Sequence, residues 1–295
     1  MGQWVRFSEF DATNERRVAK VKDFLDKNEL ELSDDVELFV TASEEGEMVA
    51  CGGISGKILK CVAVTPRLRG QRFVLKVIDE LLAAAKRRGQ EELFLFSAPK
   101  NQEYFESHGF SLIERSGNEV ILMENSGNLA RYKESLRQKR VEGSMIGSVV
   151  ICDSPLQEKE MALICHASKQ CDWLHVFVVC EDGTHSTKRT QKLREALGGF
   201  ANVTVHDNSE YLISKATFPT YFIKDQAHIN ALHAELDLNI FKRHIAPELG
   251  ISHRFIGCES DVNEAYNTLM ETLLPSAEEG VMPIAVVHLE KAPVA

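Results

Sequence analysis

Two short segments of the sequence carry residue types that could hold phosphate. The first is "RLRGQR" (67–72), in which Arg67, Gly70 and Arg72 stand between the apolar run "KCVAVTP" and the helical pattern "FVLKVIDELLAAAKRRG". Backbone N–H groups at such a strand-to-helix turn can bind a pyrophosphate, because the first turn of the helix presents unpaired donors and partial positive charge. The segment therefore predicts an anion-binding turn.

The second segment is "SKATFPTYFIK" (214–224). It brings together the hydroxyls of Ser214 and Thr217 and the amines of Lys215 and Lys224 shortly after the strand-like run "ANVTVH". Such groups could stabilise the charge of a reacting phosphate. Surface charge is the competing interpretation of the two lysines, and the sequence alone leaves both open.

The composition limits the classes of protein to which these segments could belong. Lys and Arg number 34 against 44 Asp and Glu, so the net charge is −10, which argues against a nucleic-acid or anionic-membrane binder. Seven scattered cysteines fit a reducing compartment better than a disulfide framework. No run approaches eighteen apolar residues and no signal peptide is evident, so we expect a soluble, cytoplasmic protein.

A length of 295 residues predicts two domains. In the first, residues 1–124, period-two runs and one amphipathic helix predict a mixed sheet. Residues 125–145 are polar and locally basic and predict a connecting helix whose charges form a solvated face. The basic residues are Arg131, Lys133, Arg137, Lys139 and Arg140.

Strands and helices alternate through the second domain, residues 146–295. Alternation with apolar strands predicts a parallel sheet covered on both faces. Ligands of such sheets bind beyond the carboxyl ends of the strands. We therefore expect the site to be formed by the segments that follow Cys152, Val179, His206 and Gly257.

The turn at 67–72, followed by "NQEYFESHGF" (101–110), resembles that of GNAT-type acetyltransferases, whose turn binds the acetyl-CoA pyrophosphate. Arg72 stands where that family places Gly or Ala. Phe105 stands where such enzymes often place a tyrosine general acid, with Tyr104 beside it. The resemblance implies acetyl-CoA binding, and these two differences favour a docking or ligand-binding module over an active acetyltransferase.

Three segments of the second domain together resemble the citrate lyase ligase family: "QCDWLHVFVVCED", "NVTVHDNSEYLISKATFPTYFIKDQ" and "ELDLNIFKRHIAPELGISHRFIGCE". The resemblance implies an α/β protein with a GNAT-like mixed sheet followed by a Rossmann-like nucleotidyltransferase domain. It also implies ATP, Mg²⁺ and acetate as reactants and the acyl carrier subunit of citrate lyase as the partner that is acetylated.

The same resemblance assigns roles to individual residues. Lys215 and Thr217 take catalytic positions, and Glu160 stands at the position of a catalytic histidine. The residues assigned to the nucleotide are Gly147, Ser154, Pro155, Ser214, Lys224, Gly257 and Glu259.

The phosphate-binding motif of that family, T/H-x-G-H, is replaced here by Gln157-Glu158-Lys159-Glu160. A carboxylate about 4 Å from a phosphate charge is unfavourable by roughly 4 kcal/mol at an effective dielectric constant near 20. Loss of the donor typically costs a further ~10²–10³ in rate. An I-S-x-S-x-x-R segment expected after "MPIAVVHLEKAPVA" is not in the sequence, so we expect impaired ATP chemistry.

Two alternatives to the ligase remain from the sequence. One is a catalytically inactive homologue that binds citrate lyase or its acyl carrier, and the other is an acetyl-CoA-binding GNAT module. A zinc site made of Cys165, His166, Cys171 and His175 is disfavoured, because alternate residues of a strand point to opposite faces; we predict no metal ligands.

Overall fold

The computed structural model describes residues 5–69, 73–152, 158–179, 187–213, 218, 225–257 and 264–289. The chain forms two compact units: Met1–Asn128 with Pro219–Ile229, and Leu129–Phe218 with Asn230–Ala295. No helix among the described residues is long and apolar enough to cross a membrane.

The first unit is built on a seven-stranded mixed sheet. In chain order its elements are β1 (Val5–Asp11), α1 (Glu15–Lys27), β2 (Leu38–Glu44), β3 (Glu47–Ser55), β4 (Ile58–Val64), α2 (Phe73–Arg87), β5 (Phe94–Ser97), α3 (Gln102–Glu106), β6 (Ser111–Ser116) and β7 (Val120–Glu124). The strand order is β1-β2-β3-β4-β5-β7-β6, and β4 and β5 are its parallel pair. The predicted mixed sheet is confirmed.

Local sequence explains the centre of this unit. The hairpin between β2 and β3 turns at Glu45 and Gly46, both at positive φ, as a tight hairpin requires. The helix α2 buries Val77, Ile78 and Leu81 on one face, at the spacing that its sequence predicted. The sequence interpretation described no strand for β1 or β6, since their burial alternates irregularly between faces.

The second unit contains a five-stranded sheet. Its elements are α4 (Asn128–Arg137), β8 (Ile146–Cys152), α5 (Glu158–Gln170), β9 (Trp173–Val179), α6 (Thr187–Ala196), β10 (Val203–His206), α7 (Gln226–Ile240), a π-helical turn (Phe241–Ile245), α8 (Ala246–Leu249), β11 (His253–Gly257), α9 (Glu264–Leu273) and β12 (Ala285–Leu289). The strand order is β10-β9-β8-β11-β12, and every pair is parallel. The predicted parallel sheet is confirmed.

The two faces of this sheet differ in character. One face is apolar and packs Val149, Val176 and Phe255 against Ile164 and Ala167 of α5. The opposite face carries a polar row, because Thr204, His175, Ser148 and Arg254 are register partners on four neighbouring strands. All of them except Thr204 are buried.

The π-helical turn and α8, which continue from α7 as one helix, cover the polar face of the parallel sheet. This helix ends at Gly250, which caps α8 at φ +73°. Pro247 has no N–H to donate to a helical hydrogen bond, and the π-helical turn Phe241–Ile245 ends two residues before it. Phe241 of this turn packs edge-on against Phe177 at 5.8 Å and beneath the guanidinium of Arg254 at 4.9 Å.

The basic helix α4 is not simply a solvated face. The Lys133 amine lies 2.9 Å from one carboxylate oxygen of the buried Glu248, and Arg137 Nε donates to the other at 2.5 Å. Arg140 donates to the carbonyl of Pro247 at 2.9 Å. Arg137 and Arg140 are exposed, as a solvated face requires. The carboxylate that Arg137 binds lies 111 positions away in the sequence, beyond the reach of local sequence patterns.

Candidate active site

The candidate active site is the edge of the parallel sheet at which the strands end. Parallel pairing brings Cys152, Val179, His206 and Gly257, the last residues of four strands, to one edge. Ligand sites of doubly wound sheets lie at this edge. The predicted site residues Ser154, Pro155 and Glu259, which follow two of these strands, lie outside the described residues.

Glu160 lies on the first turn of α5, which begins at Glu158 just beyond the carboxyl end of β8. Glu160 is half-buried and Glu158 exposed. Unpaired N–H groups give the N-terminus of a helix partial positive charge, which makes it a natural seat for phosphate. Here the carboxylates of Glu158 and Glu160 lie on the first turn and offset that partial positive charge. An anion is therefore bound less favourably at this helix start than its position in the fold would suggest.

The predicted polar segment after β10 has buried apolar residues beside it in the sequence. Ser214, Lys215, Thr217 and Lys224 lie outside the described residues. Tyr211, Leu212 and Ile213 before them are buried, as is Phe218 within the segment.

The two glycines assigned to the nucleotide occupy opposite ends of their strands. Gly257 ends β11 at the candidate edge, and a Cβ built there meets nothing within 4 Å. Gly147 is the second residue of β8, and a Cβ there would lie 2.6 Å from Phe255 Cε2 and 3.0 Å from Cys171 Sγ. Close packing thus explains the glycine at 147, and its role in nucleotide binding stays a prediction.

A histidine pair on the polar face escaped the sequence interpretation. His175 Nδ1 and His206 Nε2 lie 3.0 Å apart, so one proton is shared between the two rings. Burial lowers the pKa of His175 to about 4 and that of His206 to about 2, and the charge of Lys139 acts in the same direction on both. The outer nitrogens, His175 Nε2 and His206 Nδ1, have no partner in the described part of the chain. Both rings therefore stay neutral at physiological pH.

Arg254 is the second polar group that sequence reasoning missed. Its guanidinium is buried, and its Nε has no hydrogen-bond partner among the described residues. Tyr266 donates to Asp237 Oδ2 at 2.6 Å, and the charge of Asp237 partly offsets the burial that lowers the pKa of Arg254. Period-two alternation in "HRFIG" could have placed Arg254 on the face opposite Phe255, but only the sheet register reveals the row that it completes.

The described residues supply no metal centre. No three His, Cys, Asp or Glu side chains among them gather closely enough to hold a metal ion. We therefore assign no residue to magnesium and derive no step through it.

The GNAT-type turn of the first unit is described only in part, since Gly70 and Arg72 lie outside the described residues. Arg67 forms an ion pair with Glu44, whose carboxylate is buried. A pyrophosphate at this turn would compete with that carboxylate for the guanidinium. Phe105 is buried edge-on against Phe110 at 6.1 Å, whereas the neighbouring Tyr104 is 39% exposed.

Comparison with known proteins extends over both units. Residues 146–294 match the citrate lyase ligase C-terminal domain, and residues 3–110 match the acetyltransferase (GNAT) family. The [citrate [pro-3S]-lyase] ligase of Escherichia coli is 38% identical over 97% of this chain and 82% of its own length. The ligase of Klebsiella pneumoniae is 40% identical over 91% of this chain and 80% of its own length.

Among solved structures, an acyl-CoA N-acyltransferase from Pseudomonas aeruginosa aligns over 42% of this chain and 100% of its own length. The identity is 13% and the TM-score is 0.36, so no functional inference follows from this likeness.

Proposed function

Because this chain belongs to the citrate lyase ligase family, we propose that it is a ligase that acetylates the thiol prosthetic group on the acyl carrier subunit of citrate lyase. ATP and acetate are the co-substrates, and AMP and pyrophosphate are released. The observation that carries the proposal is identity of 38% over 97% of the chain, which covers the GNAT-like domain and the nucleotidyltransferase-like domain together.

The proposed reaction has two steps. An oxygen of acetate attacks the α-phosphorus of ATP, the bond to the bridging oxygen breaks, and pyrophosphate leaves. The carrier thiol then attacks the carbonyl carbon of acetyl-AMP and loses its proton as AMP departs. Both steps depend on positioning and on donors that meet developing negative charge.

The residues of this chain would contribute to these steps unequally. Lys215 and Lys224 supply positive charge for the phosphates, and Ser214 and Thr217 supply hydroxyl donors. Glu160 opposes them, since it places a carboxylate on the helix turn where the family has a histidine donor. We therefore propose that this chain forms acetyl-AMP slowly.

A catalytically inactive homologue is the second candidate function. The two carboxylates on the first turn of α5 favour it, because they disfavour ATP more than they disfavour a protein partner. Such a protein would bind citrate lyase or its acyl carrier without turnover. The acetyl-CoA module is less well supported, since Arg67 of the predicted turn is already paired with Glu44.

Intact-mass analysis of the deacetylated acyl carrier tests the proposal. The carrier is incubated with this protein, ATP, Mg²⁺ and acetate, with the Escherichia coli ligase alongside as the positive control. We expect an acetyl mass increase that needs both ATP and acetate. A carrier that stays unmodified while the control is acetylated would refute the ligase and leave the inactive homologue.

A further inference from the structure

Arg254 is a buried cation whose guanidinium makes no hydrogen bond to the described residues. The residue is 5% exposed, and its Nε is enclosed without a partner in the described part of the chain. An arginine keeps its charge at physiological pH and carries five N–H donors in a planar fork. Burial of such a charge without an acceptor is strongly unfavourable, so these donors call for a partner.

The neighbours of the guanidinium offset its charge without binding its donors. Phe241 lies against it, with the ring centroid 4.9 Å from Cζ, so a cation–π attraction acts on one face. The charge of Asp237 also favours the cation. Asp237 forms no hydrogen bond with Arg254, however, because its Oδ2 accepts the hydroxyl proton of Tyr266 at 2.6 Å. The donors in the plane of the guanidinium are therefore available to a further group.

Lys242, a second buried cation, shows the contrasting case. It follows Phe241 in the π-helical turn and is 2% exposed. Its Nζ donates to the carbonyls of Leu273 and Ser276 at 2.8 Å and to the hydroxyl of Ser276 at 2.7 Å. The fold thus supplies three oxygen acceptors for this ammonium, whereas its described residues supply none for Arg254. We take this difference as the sign of a binding site.

The position and charge of Arg254 indicate the class of ligand. Arg254 lies on the polar face of the parallel sheet, three residues before Gly257, which ends β11 at the candidate edge. A guanidinium binds a carboxylate through two parallel N–H···O bonds. One negative charge would match this one cation, whereas a phosphate dianion would leave excess charge in a buried place. A small monocarboxylate therefore fits better than a phosphate.

We propose that Arg254 binds a small monocarboxylate, and that in the ligase reaction this carboxylate is the substrate acetate. The identification with the substrate rests on the proposed function. The carboxylate site itself rests on the burial of Arg254 and on its lack of an acceptor among the described residues. Arg254 is then a substrate-binding residue that is not among those assigned to the nucleotide.

Saturation-transfer NMR of the acetate methyl group tests the site without ATP or turnover. The full chain is mixed with an excess of acetate, and we expect a methyl signal from the parent protein. Arg87→Met, which removes an exposed arginine of the first unit, should keep this signal. Arg254→Met removes the cation at similar side-chain length and should weaken acetate binding about tenfold or more. No signal from the parent protein, or equal signals from the parent and Arg254→Met, would overturn the site.

Competing anions and a second substitution test the selectivity for a carboxylate. Formate should displace acetate, whereas chloride and inorganic phosphate at the same concentration should not. Equal displacement by chloride or phosphate would show an unselective anion site and overturn the assignment. Arg254→Lys keeps a buried cation but loses the planar fork, so it should bind acetate more weakly than the parent protein. Parent-like affinity in Arg254→Lys would refute the two-bond recognition on which the proposal depends.

Steady-state kinetics connect the site to the ligase reaction. In Arg254→Met we expect the KM for acetate to rise about tenfold or more, while the KM for ATP stays within about threefold of the parent value. An unchanged KM for acetate would overturn the role of Arg254 in the reaction. A parent protein that binds acetate but forms no AMP would overturn the proposed function and leave the carboxylate site standing, so the two failures are distinguishable.

Discussion

At the scale of single residues, the identity of residue 160 is expected to decide the rate of the proposed reaction. The fold places Glu160 on the helix turn beyond the end of β8, where a donor to phosphate would act. The carboxylate both removes that donor and adds a repelling charge. The substitution at this single position is therefore unfavourable to ATP chemistry in two ways.

Replacing Glu160 with histidine should raise the rate. We expect Glu160→His to increase AMP formation in the presence of ATP and acetate by about a hundredfold to a thousandfold, the range over which a single oxyanion donor acts. Glu158→His, on the same turn, is the matched control and should give no comparable gain. Equal gains in both variants would attribute the effect to net charge and contradict a specific role for position 160.

The buried histidine pair predicts how stability depends on pH. The pKa of His175 is lowered to about 4 and that of His206 to about 2, below the value near 6.5 of an unfolded histidine. The unfolded chain therefore binds more protons as the pH falls through 6.5, and the free energy of unfolding decreases. Each histidine contributes up to about 1.4 kcal/mol per pH unit.

Urea unfolding at pH 7, 6 and 5 measures this dependence. His206→Gln removes one of the two titrating histidines. The free energy of unfolding should therefore fall less steeply with decreasing pH, by up to about 1.4 kcal/mol per pH unit. A parent protein equally stable at pH 7 and pH 5 would contradict neutral burial of the pair.

At the scale of elements, two buried charges tie helices of the second unit together. Glu248 on α8 binds Lys133 and Arg137 of α4. Lys242, in the π-helical turn, donates to the carbonyls of Leu273 and Ser276 and to the hydroxyl of Ser276, which satisfies acceptors at the end of α9. The π-helical turn and α8 thus hold two other helices: α4 through Glu248, and the end of α9 through Lys242.

Loss of the Glu248 contact should destabilise the second unit. Glu248→Gln leaves two cations beside a weaker acceptor, and we expect it to lower the free energy of unfolding by about 2 kcal/mol. Glu134→Gln is the matched control, because Glu134 also pairs with Arg137 but is 58% exposed, and it should cost less than about 0.5 kcal/mol. Denaturant midpoints of both variants measure the difference, and equal midpoints would show that α4 is not held through Glu248.

The reach of sequence reasoning also differs between elements. The runs at β8, β9 and β11 could be read directly, because their apolar residues are contiguous and end at polar segments. The π-helical turn could not be predicted, since Pro247 indicates a disturbance of the helix without its form. The histidine pair depends on sheet register and tertiary contact, which no local pattern encodes.

At the scale of the whole molecule, the chain combines a mixed sheet and a parallel sheet in the domain order of its family. The resemblance predicted both folds from segments of sequence. The chemistry is less well determined, because Ser154, Lys215, Thr217 and Glu259 lie outside the described residues. The structure instead reveals His175, His206 and Arg254 as buried polar groups of the parallel sheet, none of which the sequence interpretation assigned to the site.

A single competition experiment tests the central claim, that acetyl transfer by this protein draws on ATP and free acetate. The deacetylated acyl carrier is incubated with the protein, ATP, Mg²⁺, ¹³C-labelled acetate and unlabelled acetyl-CoA together, and the carrier is weighed by intact-mass analysis. The account predicts slow appearance of labelled acetyl groups that stops when ATP is omitted. Unlabelled acetyl groups on the carrier, or no acetylation while the Escherichia coli ligase labels it in parallel, would contradict the account.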